Sequence, residues 1–140
     1  MEAANACIAT HAQQAIAISF IPLVSVPLVH GLCAKMIVAL NEIFGIPADG
    51  AEIVSDILTG LVMAPAMAIP LLGAGVSHTY IKSIGQHYAQ AVATVLAAAT
   101  DEERNDNALI AERIERELHN IHQQQRARRM GRRKSGKGAT

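Results

Sequence analysis

Tryptophan is absent from this chain of 140 residues, and tyrosine and phenylalanine occur only twice each. A core built on large rings is thereby excluded, and packing has to come from Ala, Val, Ile and Leu. Cysteine is nearly as scarce. Cys7 and Cys33 stand alone without CxxC spacing, which removes the common zinc pattern and reads as two reduced, buried thiols in a reducing compartment. Charge is missing over long stretches: Ala3 to Ala34 and Ile57 to Ile81 contain no Asp, Glu, Lys or Arg. Since Glu2 is the only charged residue before Lys35, there is no positive segment of the kind that opens a cleaved export signal, and none is expected. Catalytic signatures are absent as well. No GxxxxGK[ST] phosphate loop and no GxSxG elbow occurs, and the Gly73-Ala74-Gly75 tripeptide sits inside an apolar run where helix packing or a turn accounts for it. A non-enzymatic protein without cofactor or metal is the expectation.

What the chain does have is asymmetry. The formal net charge is zero, yet seven of the twelve basic residues crowd into Arg126 to Lys137, so the average hides the pattern. Each charge-free window exceeds the roughly 20 residues that a helix needs to cross a bilayer core. The expectation is therefore an all-α protein: an Ala-rich helical hairpin or small helical bundle embedded in or docked on a membrane. Lys and Arg collect on the cytoplasmic side of membrane proteins, which would place the basic tail there.

Local signals divide the chain into an apolar helical region over 1–99, a charged amphipathic helix over 100–125 and a disordered basic tail over 126–140. Pro22 and Pro27 weaken a straight first span. A cleaner helix is expected after Gly31, with Leu32, Met36, Leu40 and Ile43 on one face and Lys35, Asn41 and Glu42 elsewhere. Gly45 with Pro47 marks its end. Asp49 and Glu52 form a candidate capping box, and Pro65, Pro70, Gly73 and Gly75 mark the expected hairpin tip. From His78 to Ala99 a further helix is expected, in which Gly85 and the alanines let another backbone come close. Thr100 and Glu103 supply a second capping box. In the helix that follows, Ile110, Ile114, Leu118 and Ile121 form a narrow apolar stripe, the candidate face for a partner helix. The pairs Glu112 with Arg116 and Arg113 with Glu117 lie at helical spacing.

Other candidate chemistry is thin. His78, Tyr80, His87 and Tyr88 are neighbours in sequence but bring no carboxylate or thiolate, and His119 and His122 read as a solvated face. The tail cations Arg126, Arg128, Arg129, Arg132, Arg133, Lys134 and Lys137 are the candidate contacts to membrane lipids or a partner. Nucleic acid is the less favoured partner, because no aromatic residue interleaves with the arginines to stack on bases.

The segments Ile21-Pro22, Pro27-Leu28, Lys35-Met36-Ile37-Val38-Ala39-Leu40 and Phe44-Gly45-Ile46-Pro47, followed by Ile69-Pro70-Leu71-Leu72-Gly73-Ala74-Gly75, Tyr80-Ile81 and Ile84-Gly85, form a pattern of their own. It resembles the small helical domain of unknown function found at the C-terminal end of some bacterial Era-like GTPases and in stand-alone membrane-associated proteins. The likeness covers Ile21 to Tyr88, half of the chain. It implies a membrane-associated helical module of the bacterial inner membrane, often in the neighbourhood of a P-loop GTPase, with no activity or catalytic residue established for the module itself. No GTPase domain lies in these residues, so such a partner would act in trans. The expected role is anchoring, scaffolding or regulating that partner. A pore-forming or membrane-perturbing protein and a soluble, self-associating bundle, a homo-oligomer, are the alternatives.

Overall fold

The computed structural model describes residues 1–18, 25–46 and 74–136. Among these the chain is all-α, in five helices: α1 (Glu2–Ile18), α2 (Ser25–Phe44), α3 (Ala74–Ala98), α4 (Asp101–Arg104) and α5 (Asn107–Gly136). Helix α3 is the centre of the bundle, touching α1, α2 and α5. The Asp49 capping box and the expected hairpin tip at Pro65 and Pro70 lie outside the described residues.

Small residues decide how the first three helices meet. Helix α1 buries Ala4, Ile8, Ala12 and Ala15, a stripe at spacings of four and three that presents one flank of the helix. With methyl groups in place of larger side chains, α1 comes close to α3. One close approach is at Gly85, where a Cβ would stand 2.8 Å from Ile8 Cγ1 and 2.9 Å from Met36 Sδ. One glycine on α3 thus receives side chains from both α1 and α2.

Helix α2 shows a stripe two residues wide, with Leu32 and Cys33, Met36 and Ile37, Leu40 and Asn41 all buried. The expected stripe is corrected at two positions. Ile43 is 42 % exposed and Asn41 is 2 % exposed, because the buried seam follows the i, i+4 rows through 33, 37 and 41 as well as through 32, 36 and 40. The helix also begins earlier than expected. Pro27 lies in its first turn, where backbone N–H groups have no helical partner and a missing one costs nothing.

The end of α2 follows the sequence reading. Gly45 adopts φ +73°, its N–H donates to Glu42 O at 3.1 Å and the Ile46 N–H donates to Asn41 O at 2.8 Å. These two bonds form a Schellman cap. A Cβ at Gly45 would meet nothing within 4 Å, so only backbone conformation opposes substitution. Gly45→Ala is expected to destabilise by about 1 kcal/mol and Gly45→Asn by less, since asparagine tolerates this conformation. Urea unfolding of the two variants checks the order.

The inner-membrane placement is overturned. No helix among the described residues is long and apolar enough to cross a membrane. Helix α1 has 17 residues, about 26 Å at 1.5 Å per residue, short of a core of about 30 Å. The reason lies in the first window itself. It lacks ionised side chains but carries Asn5, Thr10, His11, Gln13 and Gln14, so freedom from charge was not hydrophobicity. The orientation of the tail, which rested on that placement, falls with it. Of the second window, Ile57 to Ile81, only residues 74–81 are described.

Candidate functional site

The strongest concentration of chemistry is on α5 and the turn that introduces it. Thr100 caps α4: its Oγ1 accepts from Glu103 N at 3.3 Å while Glu103 Oε2 accepts from Thr100 N at 2.9 Å, the capping box read from the sequence. The expected single helix over 100–125 is broken after one turn. Asp106 starts α5 afresh, its Oδ1 accepting from Leu109 N at 3.1 Å, and the run Asn105-Asp106-Asn107 supplies the side chains that favour such a restart. Arg104 Nη2 turns back to donate to Leu96 O at 2.9 Å, placing a cation against the C-terminal end of α3 where the helix dipole favours it.

Glu112 and Arg116 pair at 2.7 Å as expected. Arg113 does not pair as expected with Glu117 but spans back to Glu103, its Nη1 donating to Oε2 at 3.2 Å and its Nη2 to Oε1. One carboxylate therefore ties the cap of α4 to the second turn of α5.

The apolar stripe of α5 is consumed inside the chain. Ile110, Ile114 and Leu118 belong to the buried core and Ile121 packs against it, so this face closes the bundle instead of waiting for a partner helix. Continuing the same row at spacings of four and three leads to Gln125, Arg128 and Arg132. Gln125 Nε2 meets His87 Nε2 on α3; an amide nitrogen only donates, so in this pairing the imidazole nitrogen is the acceptor. Beyond Gln125 the row turns from apolar to cationic. Charged side chains cannot be buried without partners, and residues 126–132 are all exposed.

Where disorder is expected from Arg126, the helix instead runs on to Gly136. An anchored helix propagates without a second nucleation cost, and Gln, Arg, Ala and Met are good helix formers. Arg126, Arg128, Arg129 and Arg132 are exposed and spread over roughly half the circumference at about 100° per residue. Arg133 and Lys134 continue the helix, and Lys137 lies outside the described residues. No acid follows Glu117, and Arg126 stands nine positions beyond it, about 13 Å along the axis, farther than the screening length of about 8 Å at physiological salt. The acids of the first half do not neutralise this arm.

Other groups are structural. Among the described residues no group of three metal ligands occurs. Tyr88 lies in the core and its hydroxyl donates to Asn41 Oδ1; burial pushes its pKa up to about 12, so it remains a donor at any ordinary pH. Burial likewise pushes the Cys33 thiol up to about 12, and both cysteines are free thiols. Cys7 is half-buried, less so than expected. His119 and His122 are exposed. An open groove of about 360 Å³ runs between the end of α2 and the start of α5, along Phe44, Ile46, Leu96, Arg104 and Ile110. Its guanidinium is already bound to Leu96.

Two groups make stability depend on pH on the acid side. Burial lowers the pKa of His87, with repulsion from His122 adding to it. The unfolded chain then binds a proton before the folded one does, so stability falls as pH drops below the ordinary value of 6.5 and levels once the lowered folded value is passed. Glu103 is lowered first by the Thr100 N–H and then by Arg113. Its contribution is present above the ordinary value of 4.5 and is lost as pH falls through the lowered one. The expected outcome is a two-stage loss on acidification. In melts from pH 8 to 3, His87→Gln removes the upper stage and Glu103→Gln the lower.

Sequence reasoning missed the Asn41–Tyr88 and His87–Gln125 pairs. The signal for the first was present, since Asn41 continues the row of Cys33 and Ile37; the second joins residues 38 positions apart and no local pattern marks it. No family model, no curated protein and no solved structure matches this chain.

Proposed function

We propose that this protein is a non-enzymatic interaction module: a small helical bundle that holds the cationic end of α5 out for an acidic partner. One observation carries this reading. The row that buries α5 as far as Ile121 changes to Arg128 and Arg132 on leaving the bundle, and residues 126–132 are exposed. The bundle supplies rigidity and the arm supplies charge. A GTPase acting in trans, which the family resemblance implies, is one partner of this kind provided that its face is acidic.

The zero net charge makes the reading testable. A chain without net charge has no general attraction to polyanions, so retention on a phosphocellulose column at low salt would come from a local concentration of cations. The full chain is expected to be retained. The variant with Arg126, Arg128, Arg129 and Arg132 all changed to Gln is expected to pass through or elute at markedly lower salt, with an unchanged circular dichroism spectrum. Equal elution of the two would contradict the proposal.

A further inference from the structure

We infer that the partner of the α5 arm is a nucleic-acid duplex, gripped by its phosphates without reading of bases; this rests on the interaction-module reading and specifies its partner. Three phosphate-bearing surfaces compete for such an arm: an anionic bilayer, a single strand and a duplex.

A helix that lies in a bilayer interface needs a broad apolar face, with Leu, Phe or Trp opposite its cations. The side of the arm away from its arginines offers Ala127, Met130 and Gly131. One methionine is a poor anchor, and with no spanning helix among the described residues nothing else described in the fold brings the arm to a membrane. Single strands are held largely by stacking of bases on aromatic rings, and α5 contains none. The four aromatic residues of the chain all precede Ala89. A duplex needs neither. It offers regularly spaced phosphates that arginine meets with paired N–H donors, and five of the seven cations from Arg126 to Lys137 are arginines.

The shape also fits. An α-helix about 10–12 Å across enters a major groove about 12 Å wide, and the 11 residues from Arg126 to Gly136 extend about 16 Å. The acids Glu112, Glu115 and Glu117 on the preceding turns repel phosphate, so contact is confined to the distal end. With no base-reading set, attraction is sequence-independent and governed by counterion release.

The test is fluorescence anisotropy with the full chain and a labelled 20-base-pair DNA duplex of mixed sequence, across 25 to 200 mM salt. The same strand alone and phosphatidylserine vesicles serve as competitors. Expected is duplex binding that is indifferent to sequence, with log K falling against log salt at a slope between about −4.5 and −6.3 for five to seven phosphate contacts. The fourfold Arg-to-Gln variant is expected to reduce that slope by about 3 to 4 units, and the matching fourfold Arg-to-Lys variant to keep most of it. Binding unaffected by the Gln variant would overturn the inference, as would preference for the single strand. Stronger binding to vesicles would overturn the duplex and leave the interaction module standing; no binding to any of the three at 25 mM salt would overturn both.

Discussion

Gly85→Leu is expected to destabilise the bundle by about 3 kcal/mol or more, a large share of the roughly 5–15 kcal/mol that holds a small domain folded. The melting midpoint should fall by about 10 °C, or the cooperative transition should vanish. Two effects oppose each other at this position. Alanine at a mid-helix glycine gains about 1 kcal/mol of helix propensity, and leucine somewhat less. Against that, the first carbon added at Gly85 would already lie 2.8 Å from Ile8 and 2.9 Å from Met36, and leucine adds three more in the same place. Met36 can move its sulfur, but Ile8 is fully buried on α1 and β-branched, so relief requires α1 itself to shift. Gly85→Ala should be mildly destabilising, with propensity cancelling part of the clash. Gly85→Ala combined with Ile8→Val should recover some of the loss. Thermal circular dichroism decides it, and an unchanged or raised midpoint in Gly85→Leu would mean that α1 and α2 do not converge on this glycine.

Tyr88→Phe is expected to cost about 1–3 kcal/mol, the penalty for leaving the buried Asn41 oxygen without its donor. The hydroxyl's own bond is worth less than the harm done by removing it, because Asn41 sits where water cannot replace the donor. That asymmetry predicts the outcome of a double-mutant cycle. Asn41→Leu together with Tyr88→Phe removes both polar partners and should be more stable than Tyr88→Phe alone, with a coupling above about 0.5 kcal/mol in urea unfolding. Additive losses would show that the two side chains do not act as a pair.

Much of this fold could be read from local chemistry. The Thr100–Glu103 capping box, the stop at Gly45, the close approach at Gly85 and the helical character of the chain each rest on a residue type whose physics is short-range. Long-range relations were not legible. The stripe Ile110, Ile114, Leu118 and Ile121 has the same spacing whether it meets a partner or its own chain, and only α3 lying beside it settles which. Membrane crossing was not legible in α1, where freedom from charge coexists with uncharged polar residues such as Gln13 and Gln14. The cationic cluster was legible as composition. Its helical, exposed presentation followed only once Ile121 and Gln125 were seen docked on α3.

The most direct test of the anchored-arm arrangement is amide hydrogen exchange along α5 in the free, full-length chain. Strong protection is expected from about Ile110 to Gln125, where the helix is docked, with a sharp fall in protection beyond Arg126 where it stands alone. Weak protection throughout would contradict the docking of Ile110, Ile114 and Leu118 and return that stripe to a partner. Strong protection continuing through Arg132 would mean that the cationic end is covered and does not serve as a free arm.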